Sequence, residues 1–139
     1  MTGRPVEEVR QVIAQAERER AVLGYKALIN WDKVPGGEQV WALIEVKVTP
    51  QRDVGFDAIA ERISRFPDVH SVYLVSGQFD LSVMVVGKTM QEVAAFVSNK
   101  LAPMEPVQGT NTHYLLKRYK DWGEPLNGGE GVQRLAVSP

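Results

Sequence analysis

Apolar and polar positions alternate, or recur at helical spacing, in a succession of blocks along the chain, and each block predicts an element. Pro5 to about Ala21 reads as a helix. Val6, Val9, Ile13 and Ala16 recur at helical spacing, and Glu7, Glu8, Arg10, Glu17 and Arg18 fill the other side. Pro5 suits the first turn, where a missing N–H costs nothing. LGYKALINW, from Leu23, predicts a short strand, and Pro35-Gly36-Gly37 a turn or linker. Val40–Val48 is a strong strand: Val40, Ala42, Ile44, Val46 and Val48 share one face, Trp41 and Leu43 the other. Thr49-Pro50 ends it. Asp53 is placed to cap a helix running to Phe66, with Phe56, Ile59, Ala60, Ile63 and Phe66 as its apolar stripe. Pro67-Asp68 breaks that helix, and Val69–Ser76 is a second strand. Gly77-Gln78 then makes a tight connection to a third, Phe79–Val86. Two residues between strands, with Gly first, predict a type II′ hairpin. Thr89 and Glu92 form a capping-box pattern opening a helix with Met90, Val93, Ala94, Val97 and Leu101 on one face. After Pro103 and Pro106, Val107 to about Lys120 is a long final strand. From Asp121 the chain is rich in Gly and Pro, a loosely held tail in which Trp122 and Leu126 could dock on the body.

The resulting order, strand–helix–strand–strand–helix–strand, is the ferredoxin-like βαββαβ arrangement. It is an α+β fold with a four-stranded antiparallel sheet and both helices on one face, here preceded by an N-terminal helix. The domain reading is residues 1–34 as helix and short strand, 35–120 as the ferredoxin-like body and 121–139 as the tail. Two helices cover only one face of such a sheet, and an open face is ordinarily polar at alternate positions. Here Trp41 and Leu43 oppose Ala42 and Ile44, Val72 and Leu74 oppose Tyr73 and Val75, and Met84 and Val86 oppose Val83 and Val85. Exposed apolar surface costs about 25 cal/mol per Å². A second copy laid sheet to sheet is the simplest cover; the competing one is the N-terminal helix and tail folding back.

Composition narrows the function. The chain has 139 residues, with 16 Lys and Arg against 17 Asp and Glu, so no net positive charge recommends nucleic acid as the main partner. It contains no Cys, which removes disulfides, iron–sulfur clusters, thiolate zinc sites and a Cys nucleophile. The two histidines, His70 and His113, are too few for a histidine-rich metal site. No metal, cofactor or catalytic residue is assigned. No apolar run is long enough to span a bilayer, and MTGRPVEEVRQ lacks an apolar signal core, so a cytoplasmic protein is expected.

The residues from Val40 to Lys120 resemble the C-terminal ligand-sensing domain of Lrp/AsnC regulators. The resemblance rests on Pro67-Asp68-Val69, on Gly77, Phe79 and Asp80 as a Gly-x-aromatic-Asp motif at the hairpin, and on Thr110 and Thr112 in the last strand, all within the βαββαβ frame. It extends upstream: VEEVRQVIAQAERERAVLGYKALINWDKV is similar to the family's stretch from recognition helix through a Gly-Tyr strand to the linker. A helix-turn-helix needs three helices, and only one fits before Leu23. That helix balances Arg10, Arg18 and Arg20 against Glu7, Glu8, Glu17 and Glu19, so direct DNA binding is not expected and the helix reads as a relic used in packing or assembly. The resemblance implies a dimeric α+β barrel, a homodimer through the sheets that can build rings up to an octamer of dimers, an amino-acid-like effector bound near the hairpin at contacts between dimers, and full-length relatives as further partners.

The effector-site candidates are Ser76, Gly77, Gln78, Phe79 and Asp80, with Thr110 and Thr112. Gly77 permits positive φ and close approach of a ligand to the backbone. Backbone N–H groups at such a turn hold a carboxylate, and Asp80 suits an α-ammonium. Ser76 and Gln78 add polar contacts. The plainer reading is that Gly77 makes the turn, Asp80 caps local backbone, and the two threonines are β-branched residues fitting a strand. Trp31, Trp41, Phe79 and Tyr114 read as core or interface aromatics more readily than as stacking platforms. Three functions compete: a non-enzymatic sensing and assembly module, a sirohaem-decarboxylase-like enzyme on the same fold, and a DNA-binding regulator with a short N-terminus. FDLSVMVVG in the third strand lacks the histidines the enzyme would use, and the charge balance disfavours the DNA binder.

Overall fold

The computed structural model describes residues 5–50, 52 and 55–126. Its elements are α1 (Val6–Arg18), β1 (Val40–Val48), α2 (Asp57–Ser64), β2 (Val69–Leu74), β3 (Leu81–Gly87), α3 (Met90–Phe96), β4 (Val107–Tyr114), β5 (Lys120–Asp121) and β6 (Glu124–Pro125). The α+β order of the body is the one expected. β1 to β4 form an antiparallel sheet in the order β2-β3-β1-β4, which makes the longest strand, β1, an inner strand paired on both sides.

Period-two patterning explains the inner face. Ala42, Ile44, Val46 and Val48 are buried, and β3 contributes Leu81, Val83 and Val85 opposite them. α2 lays Ile59 and Ile63 on this face, and α3 and the π turn after it (Val97–Leu101) add Val93, Phe96 and Leu101. Each fully buried Ile or Leu stabilises by roughly 1.5–3 kcal/mol. Phe66 and Phe96 meet edge to face at 5.4 Å, joining the ends of the two helices. Thr89 caps α3 by accepting the Glu92 N–H at 3.0 Å, and the Glu92 carboxylate accepts the Lys88 N–H at 3.2 Å, so the capping pattern closes one residue earlier than the ideal box.

Several expectations are corrected. The β2–β3 connection is not a two-residue turn: the ladder ends at Leu74 opposite Leu81, and the Val75 N–H closes a six-residue loop on the Asp80 carbonyl at 2.9 Å. Asp80 leaves the ladder because both its N–H and its carboxylate bond to β1. The final strand stops at Tyr114, and the chain turns into the small β5–β6 hairpin rather than continuing to Lys120. The segment from Leu23 forms no strand and has no regular structure, with Leu23, Tyr25 and Leu28 exposed, and a short 3-10 turn follows at Trp31–Lys33. A strand needs a neighbour to bond to, and this single chain places none there. α1 ends at Arg18 and buries no residue. Trp122 does not dock, being 76% exposed, whereas Leu126 is tied in through its N–H to the Tyr119 carbonyl at 3.0 Å. The Asp53 cap and the rest of the tail lie outside the described residues. Among the described residues no helix is long and apolar enough to cross a membrane.

Candidate functional site

The hairpin loop Val75–Asp80 closes one end of the sheet. Ser76, Gly77 and Gln78 are exposed, and Phe79 and Asp80 are half-buried. Gly77 has φ +130°, where L side chains are strained, and a Cβ built there would meet nothing within 4 Å. Strain and open space coincide at the residue expected to admit a ligand to the backbone.

Asp80 is anchored first by its own fold. Its N–H donates to the Val46 carbonyl at 3.0 Å, and its Oδ2 accepts the Val48 N–H at 2.9 Å. Lys47 Nζ lies 3.6 Å from the same oxygen and donates to the Gln78 carbonyl at 3.2 Å. An ion pair this exposed is worth at most about 1 kcal/mol. Oδ1 has no hydrogen-bond partner among the described residues. The loop end therefore presents an unengaged carboxylate oxygen beside a half-exposed ammonium, one group for each end of a zwitterion. Lys47 is a site residue that the sequence reading missed. Strand pattern places it on the outer face of β1, but only the cross-strand register brings it to the loop.

Thr110 and Thr112 share a face, as expected, and their partners Val46 and Ile44 show it to be the helix-covered one. Val46 also pairs with Leu81, so Thr110 lies two strand spacings, roughly 10 Å, from the hairpin side of the sheet. The structure thus gathers Ser76 to Asp80 into one loop and leaves the threonines across β1 from it. An open cleft of about 180 Å³ sits elsewhere, at the other end of β1, lined by Trp31, Asp32, Gln39, Trp41 and Arg118 among others.

A second candidate surface is the outer face of the sheet. Strand register arranges it in rows: Trp41 beside Val86; then Ser71, Met84, Leu43 and His113; then Tyr73, Ser82, Glu45 and Asn111. The outer face is less apolar than the helix-covered one. The half around Trp41 and Leu43 is apolar, and the half toward the hairpin is polar. Arg118 stands over the Trp41 ring at 5.3 Å and His70 meets it edge-on at 4.9 Å. Trp41 Nε1 is buried without a hydrogen-bond partner. In the polar half, His113 Nε2 and Glu45 Oε1 are 2.7 Å apart, with Asn111 Nδ2 3.2 Å from the same ring nitrogen. α1 buries no residue anywhere, whereas the segment after β4 reaches this face at its Trp41 end through Arg118. Among the described residues no group of three or more Asp, Glu or His is placed to hold a metal ion.

An antiparallel four-stranded sheet with both helices on one side and a partly apolar face on the other is the ferredoxin-like α+β fold. Comparison with known proteins gives its family: residues 41–125 match the Lrp/AsnC ligand binding domain, and the chain belongs to the Lrp/AsnC family of transcription regulators. It is 50% identical over all 139 residues to the uncharacterized HTH-type transcriptional regulator YugG of Bacillus subtilis, covering 84% of that protein. It is 27% identical to the leucine-responsive regulatory protein of Rhizobium meliloti over 78% of this chain and 69% of that one. Among solved structures, the transcriptional regulator NMB0573 of Neisseria meningitidis, crystallised as its L-Met complex, is similar with a TM-score of 0.67 at 26% identity, over 89% of this chain and 79% of that one. E. coli AsnC shares the fold, with a TM-score of 0.66 at 15% identity, over 84% of this chain and 75% of that one.

Proposed function

We propose that this regulator senses a small amino-acid-like metabolite at the Val75–Asp80 loop and transmits it through self-assembly. Residues 35–120 carry both tasks. The observation that carries the reading is the pairing of Lys47 with Asp80 at an exposed loop: an ammonium and an unengaged carboxylate oxygen complement the carboxylate and α-ammonium of one ligand. Gly77 gives such a ligand open backbone to approach, and Ser76 and Gln78 supply polar contacts. Thr110 and Thr112, across β1 on the helix-covered face, lie apart from this loop within one chain and are left out of its contacts. A related regulator crystallised with L-Met supports this ligand class.

Ser76, Gly77 and Gln78 stand exposed on the single chain, so the rest of an enclosed site would come from another copy. A homodimer through the outer sheet face, and rings of dimers beyond it, provide that copy. Longer HTH-type relatives are further partners. α1 and the two residues after it set three arginines against four glutamates, which favours regulation through assembly over direct DNA contact by this segment.

The test is a panel of L-amino acids at millimolar concentration, read by melting temperature and by assembled mass. At least one is expected to raise the melting temperature or change the mass. Asp80→Asn retains an oxygen for the Val48 N–H and removes the charge, so it is expected to fold and to lose the response. A panel that moves neither quantity removes the sensing proposal.

A further inference from the structure

We propose that the Glu45–His113 pair makes self-association through the outer sheet face depend on pH, with assembly tighter in acid. This deepens the sheet-to-sheet reading above and rests on it. The pair sits toward one edge of the face and next to its apolar half: Glu45 on inner strand β1 and His113 on edge strand β4, 2.7 Å apart, His113 level with Leu43 and Glu45 level with Asn111 in the register. Glu45 is 35% and His113 51% exposed as side chains, so a covering sheet would take both out of water. The occupant argued for is an identical copy. The face pairs its charges internally, Glu45 with His113 and Lys47 with Asp80, so two copies meet without net repulsion when those pairs are complete.

Completeness depends on one proton. With the imidazole protonated, Glu45 and His113 form a neutral pair that can be buried together. With the imidazole neutral, each copy carries an uncompensated carboxylate into the interface. Desolvating an unpaired charge costs far more than desolvating a matched pair. Whichever atom holds the proton in the dimer, burial favours the protonated pair, so association takes up protons and weakens as pH rises through the histidine range, roughly pH 5 to 8. The other titratable groups facing this region are few. His70 lies against Trp41 on the β2 side, and Tyr73 shares the row of Glu45. Lys47 is held at the hairpin end with Asp80, and Arg118 stands over Trp41. β3 presents only Ser82, Met84 and Val86. His70 is the other imidazole of this group, and its neighbour there is the Trp41 ring rather than a carboxylate.

The experiment is the dissociation constant of the full chain by sedimentation between about pH 6 and pH 8.5, with folding checked by circular dichroism. The wild type is expected to weaken at least ~10-fold across that interval, since a tenfold gain in proton affinity at one group on association already makes the dissociation constant tenfold dependent on that proton. His113→Gln is expected to be weak and flat. Glu45→Gln is expected to reverse the slope, because a protonated His113 would then be buried without its partner. His70→Gln is expected to keep the wild-type slope. A flat wild-type profile, a slope surviving in His113→Gln, or a slope lost in His70→Gln overturns the proposal while leaving the dimer. A single chain at every pH and concentration overturns the sheet-to-sheet reading as well, so the two failures are distinct.

Discussion

At the scale of the residue, Asp80 shows how one side chain serves structure and chemistry together. Its Oδ2 finishes the bonding of β1 by accepting the Val48 N–H just where the pairing with β4 slips its register between Lys47 and Val48. The plainer reading of Asp80 is met in altered form: its carboxylate caps backbone, but that of β1, far away in the chain, rather than that of its own turn. Asp80→Ala is expected to destabilise by about 1–3 kcal/mol, the cost of a part-buried donor left without an acceptor. Asp80→Asn should cost much less. Urea denaturation of the two variants measures the difference, and equal losses would show that charge rather than the backbone bond holds the loop. The motif Gly-x-aromatic-Asp was legible in the chain, whereas Lys47 was not, because a lysine at the end of a strand has no local mark that says which loop it will meet.

At the scale of the element, local signals decided most helices and strands. β1 has the bounds that its alternation announced, and α3 begins where Thr89 and Glu92 said it would. Thr89→Ala removes the acceptor for the Glu92 N–H and is expected to cost about 1 kcal/mol, seen as a lower melting temperature with unchanged assembly. Elements whose form depends on a partner fared differently. Leu23 to Asn30 has strand-like composition and forms no strand, since β propensity expresses packing against neighbours more than a backbone preference. The β2–β3 loop widened for a related reason. Gly77-Gln78 has tight-turn chemistry, but bonds from Asp80 to β1, a third strand, outweigh it.

At the scale of the molecule, the uneven outer face is the feature that matters. Its apolar half, around Trp41, Leu43 and Met84, is expected to form the centre of the self-association surface. Leu43→Glu places a charge there, opposite Met84 and beside His113. It is expected to shift the protein toward monomer by at least ~10-fold in dissociation constant, because an unmatched buried charge typically costs several kcal/mol. Light scattering across a dilution series reads this directly, and an unchanged mass would place the contact elsewhere. The core faces inward and is untouched, so the monomer should keep its fold.

The chain by itself determined the order of elements, the α+β class, the helix-covered face of the sheet and the place, though not the width, of the loop between β2 and β3. All of these follow from periodicity and turn chemistry, which act between near neighbours. Tertiary structure alone decided the strand order β2-β3-β1-β4, the meeting of Lys47 with Asp80, and the meeting of Glu45 with His113 from positions far apart in the chain. Pairing register joins distant segments, and a slip of one residue would send every side chain of a strand to the opposite face. Alternation can therefore say which residues share a face, but not which charges will stand side by side on it.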